Sequence, residues 1–170
     1  MINKFIEEKA ENLLKEHNLF KAPVNIQNLA KKLGINIEAA KLESEISGFL
    51  VIKDQKAFIR YNESENKKRN RFTIAHELGH FILHSNQQPL FIDKANVMYR
   101  NPDSASGELT KEREANAFAA ALLMPKRLIS SELEKIKEGD KISLLAKRFR
   151  VNPQAMSFRL SNLGYDFGII

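Results

Sequence analysis

The chain has no cysteine, no tryptophan and only four histidines among its 170 residues. Without thiols there are no disulfides and no thiolate-bound metals, so any metal centre must be built from histidine, aspartate and glutamate. Long apolar runs are missing too. The longest, Ala117 to Met124, falls well short of the roughly 20 residues that span a bilayer. The opening MINKFIEEKAENLLKEHNLF scatters acids and lysines through its length and lacks the continuous apolar stretch of a secretory leader. A cytoplasmic protein without a membrane partner is therefore expected. No repeat or low-complexity linker divides the chain. The remainder, 43% apolar and 28% charged, suits one soluble domain able to bury a core. A net charge of +6 fits an acidic or nucleic-acid partner, although diffuse lysine equally serves solubility.

Periodicity divides the chain into three parts within one domain spanning 1–170. In 1–35, Phe5, Ile6, Leu13 and Leu14 lie among charges at helical spacing, and PVNIQNLAKKLGI reads as a shorter helix stopped by Gly34. In 36–125 the period changes. INIEAAK, ISGFLVIK and KAFIRYN are short, β-branched and aromatic, with KDQ as a polar turn, which predicts a small antiparallel sheet containing a hairpin. A helix follows, with Asn62 as its cap and Glu65 as the reciprocal partner, running to about His84. The segment from Gln87 to Glu108 reads mostly as loop, with NVMYR as a short extended piece, and LTKEREANAFAAALLMP as a helix ended by Pro125. In 126–170 three short helices are expected, the second started at Asp140 or its neighbours, the third at Asn152 with Pro153 and ended by Gly164.

Three of the four histidines fall within RFTIAHELGHFILH. His76 and His80 are one helical turn apart on one face, so their imidazoles can converge on one ion, while Glu77 flanks that face and reaches a water on it. This is H-E-x-x-H, two nitrogen ligands and a general base. The apolar flanks FTIA and FIL argue that the helix is buried, where unpaired histidines would be unfavourable. Gly79 costs about 1 kcal/mol relative to alanine inside a helix, which implies a close neighbour such as a sheet strand.

A catalytic zinc site takes a third protein ligand and leaves one position for water. His84 lies two turns beyond His76, too far for the same ion, and suits orientation of a ligand, substrate contact or helix-end capping. The helix around EREANAFAAALLMP is the better source. Asn116 is the one polar residue between Glu114 and Pro125, and Glu112 lies one turn before it on the same face. Glu114 also lies on an apolar stripe, and periodicity leaves both glutamates open.

These blocks, RFTIAHELGHFILH, EREANAFAAALLMP and more weakly LAKRFRVNPQAMSFRLSNLG, resemble the ImmA/IrrE family of metallopeptidases over about Val24 to Gly164. The resemblance implies an α+β, zincin-like domain: a small sheet packed on the His-bearing helix, with helical N- and C-terminal parts. It implies one zinc ion held by His76, His80 and Glu112, with Glu77 as general base and Asn116 orienting a zinc-bound histidine. Two imidazoles and a carboxylate also accept manganese or iron. The substrate it implies is a protein, a helix-turn-helix repressor or antitoxin-like regulator cleaved inside the cell. Tyr99, Arg100, His84 and Tyr165 are candidate oxyanion donors. Two other classes compete. In one, the metal site is structural and the chain only sequesters a repressor, but such a site has no need of Glu77. In the other, ISLLAKRFRVNPQAMSFRL binds DNA as a helix-turn-helix, packed through Ala146, Val151, Met156 and Leu160 and presenting Lys147, Arg148, Arg150 and Arg159. Arg150 at the turn, where glycine is usual, counts against it.

Overall fold

The computed structural model describes residues 2–94 and 106–167. Asparagine ahead of an amphipathic run starts the first two helices. Asn3 Oδ1 accepts from the Ile6 amide to cap α1 (Lys4–Glu16), and Asn25 Oδ1 accepts from Asn28 to cap α2 (Ile26–Lys32). Ile6, Ala10 and Leu14 of α1 are buried, as are Ile26, Leu29 and Ala30 of α2. Gly34, at φ +74°, takes the left-handed position after α2.

Strands β1 (Asn36–Ala40), β2 (Ile46–Lys53) and β3 (Lys56–Asn62) follow, and the β2–β3 hairpin turns through Asp54 and Gln55, both at positive φ. The sheet runs in the order β1-β3-β2-β4. It is mixed. β2 pairs antiparallel with β3 and β4, whereas β1 lies parallel to β3, its Ile37 opposite Ile59. The expected all-antiparallel arrangement is corrected here. The 41–45 connection carries the chain past β3, and strand periodicity is blind to which neighbour a strand chooses.

β4 (Leu90–Lys94) corrects the loop expected there. Its alternation is only five residues long: Phe91 and Asp93 face inward, while Leu90 and Ile92 are exposed. NVMYR lies outside the described residues.

The central helix α3 (Lys67–His84) is capped by Asn66, whose Oδ1 accepts from the Arg69 amide at 2.9 Å. Asn62 is not the cap. It ends β3, fully buried, and its amide donates to the carbonyls of Glu43 and Ile46 at 3.2 and 2.9 Å. Glu65 accepts from Ser47 Oγ instead of closing a capping box. A buried asparagine that satisfies a loop's carbonyls is unavailable to a helix, and Asn66 takes the position.

The remaining helices are α4 (Ser106–Leu123), α5 (Lys126–Lys135), α6 (Lys141–Phe149) and α7 (Pro153–Asn162). Asp140 caps α6 and Asn152 caps α7, as the sequence predicts. Ala146, Val151, Met156 and Leu160 are buried in the core with Phe118, Leu122 and Phe149. Among the described residues no helix is long and apolar enough to cross a membrane.

Two glycines set how closely α3 is enclosed. A Cβ on Gly48 of β2 would lie 2.5 Å from Thr73 Cγ2 and 2.7 Å from the Arg60 carbonyl. One on Gly79 would lie 3.0 Å from the Ala115 backbone. The close neighbour of Gly79 is thus α4, not the strand expected. Gly79→Ala should destabilise the protein despite its better helix propensity, by about 1–2 kcal/mol, and Gly48→Ala by about 3 kcal/mol, because overpacking against backbone outweighs propensity. Denaturant unfolding of both variants checks the sign and the order.

Candidate metal centre

α3 opens with the basic and polar stretch 67–71 and then runs between the sheet and α4, where residues 73–80 are all buried. His76, Glu77, His80 and His84 therefore sit in the interior. α4 runs across α3 at Gly79 and Ala115, which brings Glu112, one turn earlier on α4, over the two imidazoles. Glu112 Oε2 is 3.1 Å from His76 Nε2, and Oε1 is 3.0 Å from His80 Nε2. The two Nε2 atoms are 3.1 Å apart. His76, His80 and Glu112 each offer a ligand atom within 4.8 Å of the others.

Each histidine is held from behind. Asn116 Oδ1 accepts from His76 Nδ1 at 2.8 Å, so that ring's proton is engaged and its Nε2 faces inward. His80 Nδ1 lies 3.1 Å from His84 Nδ1, and the His80 ring stacks on Phe91, centroids 4.4 Å apart. His84 Nε2 lies 2.8 Å from Glu114 Oε2. Glu112 and Glu114, open alternatives on spacing, thus take different places: Glu112 at the ligand cluster, Glu114 against His84.

Glu77 is fully buried and neither carboxylate oxygen has a hydrogen-bond partner. Burial holds its carboxyl well above the usual range, with the Asp93 and Glu112 carboxylates adding to the effect. Burial also pulls Glu112 upward, but hydrogen bonding and charge from His76 and His80 outweigh it and set that carboxyl at about 2. Burial lowers His80 below 6.5, assisted by His76 and His84 and opposed by Glu112. Two inward ring nitrogens, an ionised Glu112 and an unpartnered Glu77 therefore converge. This donor set could hold a divalent metal ion.

Sequence reasoning passed over two residues of β4. Phe91 packs on His80. Asp93 forms a second potential ligand cluster with His76 and Glu77, and its Oδ2 accepts from Arg69 Nη2 at 3.2 Å. The signal was an aspartate on the same face as Phe91 within LFIDK. Arg69 and Arg71, in the basic stretch ENKKRNR ahead of the histidines, make inward contacts. Arg71 donates to the carbonyls of Val24, Phe149 and Arg150, tying α3 to the entry of α2 and the α6–α7 turn. Tyr165 hydrogen-bonds Ser130 on α5, and Tyr99 and Arg100 lie outside the described residues. Of the candidate DNA-facing cations, Arg159 is buried in a bidentate pair with Glu7 and Arg148 pairs with Glu132. Arg150 holds the turn at φ 55°, ψ 48°.

Residues 30–161 match the IrrE N-terminal-like domain. The uncharacterized immunity region protein 2 of Bacillus phage phi105 is 31% identical over 106 residues, 62% of each chain. The radiation response metalloprotease IrrE of Deinococcus radiodurans is 32% identical over 107 residues, 61% of this chain and 30% of its own length. The metallopeptidase ImmA of Bacillus subtilis is 26% identical over 101 residues, 59% and 54% of the two chains. The matches thus span less than two thirds of each relative. In fold, a Mycobacterium tuberculosis transcriptional regulator superposes with a TM-score of 0.69 at 20% identity, covering 98% of this chain and 49% of that one.

The raised carboxyl of Glu77 has a thermodynamic consequence. In metal-free protein this group contributes stability below its ordinary value of 4.5, and the contribution is lost as pH rises through the folded value. Glu77→Gln removes that loss, so the stability of the variant relative to wild type should increase from pH 5 to pH 8 in the presence of chelator. Thermal melts at both pH values check this. A difference independent of pH would show that the buried carboxylate is not strained.

Proposed function

The chain belongs to the IrrE N-terminal-like family, and from that premise we propose that it is a zinc-dependent metalloendopeptidase. The observation that carries the reading is Glu77: a buried carboxylate without a partner, beside a cluster of two imidazoles and a second carboxylate. A purely structural site has no use for such a group.

In this reading His76, His80 and Glu112 hold one zinc ion, and manganese or iron would fit the same donors. When bound, the cation supplies Lewis acidity, acidifying a water and polarising the scissile carbonyl. Glu77 takes the proton of the attacking water and delivers it to the leaving amine. Its raised affinity for protons, caused first by burial, suits a group that takes up a proton. Asn116 orients His76 through the 2.8 Å contact. Of the sequence candidates for the oxyanion donor, His84 is engaged with Glu114 and Tyr165 with Ser130, while Tyr99 and Arg100 lie outside the described residues. β4 lies at the end of the described sheet with Leu90 and Ile92 exposed, so an extended peptide can add beside it and pass Phe91 and Asp93.

We infer a protein substrate, and within that class a helix-turn-helix repressor or antitoxin-like regulator, cleaved in the cytoplasm. The support is the resemblance to ImmA and IrrE, together with a phage relative named for an immunity region. Direct DNA binding through α6 and α7 fits less well, since two of the four cations expected to face DNA are already in ion pairs.

The test is incubation with candidate helix-turn-helix regulators, beginning with any encoded beside this chain, followed by mass spectrometry. Wild-type protein with zinc should cut one of them at a defined bond, and chelator should stop the reaction. Glu77→Gln should retain one zinc per chain while losing about 10³-fold in turnover, the scale of a general base. His76→Ala should lose both. Undiminished cleavage by the Gln variant would remove Glu77 as the base.

A further inference from the structure

The string of groups from His80 to Glu114 admits one arrangement of protons when Glu114 is ionised and His84 is neutral. A carboxylate only accepts, so His84 Nε2, 2.8 Å from Glu114 Oε2, must carry a proton. A neutral imidazole has one such proton, which leaves His84 Nδ1 bare. That bare nitrogen lies 3.1 Å from His80 Nδ1 and can only accept, so His80 must be protonated at Nδ1. The lone pair of His80 is then at Nε2, the atom that faces Glu112 and His76. Reverse the last link and the outcome reverses. If nothing held the proton on His84 Nε2, His84 could donate from Nδ1, and His80 would carry its proton at Nε2, where a metal ligand needs none.

We propose that His84 and Glu114 are positioning residues that fix the metal-binding tautomer of His80. The inference rests on the metal-site reading above and extends it to two residues that touch neither ion nor substrate. His84 is buried, one turn beyond His80 on α3, and Glu114 reaches it from α4, its side chain 40% exposed. The two ligand histidines are therefore held by different means: His76 by a neutral amide, His80 by an imidazole backed by a carboxylate. Both lines of support end on α4, at Asn116 and at Glu114 behind His84, so the helix that provides Glu112 also sets the tautomers of its co-ligands. Such outer partners typically account for 10–100-fold in metal affinity.

The experiment uses the full chain and zinc alone. Glutamine at 114 keeps the shape and can either accept or donate, which releases the tautomer choice. Competition with a chromophoric chelator should show zinc binding about 10-fold weaker in Glu114→Gln, weaker still in His84→Phe, and unchanged from His84→Phe when both are combined, because Glu114 acts only through His84. Nitrogen-15 spectra of the metal-free protein give a second readout. His80 should be in the Nδ1–H form in wild type and a mixture in Glu114→Gln, whose half-exposed site keeps the test usable if His84→Phe fails to fold. Unchanged affinity and an unchanged His80 tautomer in Glu114→Gln, or additive losses in the double variant, would overturn the relay. Failure of wild-type protein to bind zinc would instead remove the metal-site reading, while the tautomer spectra would still decide whether Glu114 sets His80.

Discussion

The close crossing of α3 and α4 at Gly79 and Ala115 is the constraint on which the site depends. With no side chain at Gly79, the α4 backbone approaches to a distance that a methyl group would contest. Glu112, Glu114 and Asn116 lie around that crossing on α4, and His76, His80 and His84 around it on α3. Each side chain finds its partner across the gap: Glu112 with His76 and His80, Asn116 with the back of His76, Glu114 with His84. A wider separation would weaken all of these contacts together.

Enclosure by the sheet gives the same cluster its chemistry. Gly48 lets β2 approach Thr73, β4 lays Phe91 against His80, and the region from Thr73 to His80 loses contact with solvent. Burial without hydrogen bonds is what holds Glu77 far from its ordinary protonation behaviour. Glu112, also drawn out of water but faced by two imidazoles, is driven the opposite way. Two carboxylates of one cluster thus acquire opposite tendencies, one to accept a proton and one to stay ionised.

The peripheral helices serve this arrangement mechanically. Arg159 on α7 reaches Glu7 on α1 and the Met124 carbonyl after α4, while Arg71 joins α3 to the turn between α6 and α7. Residues that look in sequence like a basic surface are in part cross-links between elements distant in the chain. A charged side chain that satisfies several backbone carbonyls is expensive to remove, which gives these positions a structural reason for their charge.

His76, Glu77 and His80 were legible because their relation is local: i, i+1 and i+4 on a helix are neighbours by covalent geometry alone. For the same reason the helix starts at Asp140 and Asn152, the β2–β3 hairpin and the buried positions Ala146, Val151, Met156 and Leu160 could be read directly. What depended on contacts between distant segments could not. Asn62 and Asn66 are both plausible caps, and only the packing of the 42–46 loop removes one of them. β1 and β4 each choose a neighbour in the sheet, which a period of two does not encode. The choice between Glu112 and Glu114, which in sequence only the family resemblance made, and the place of Asp93 beside Glu77 follow from how α4 crosses α3 and where β4 lies, and that is decided by packing across the whole core.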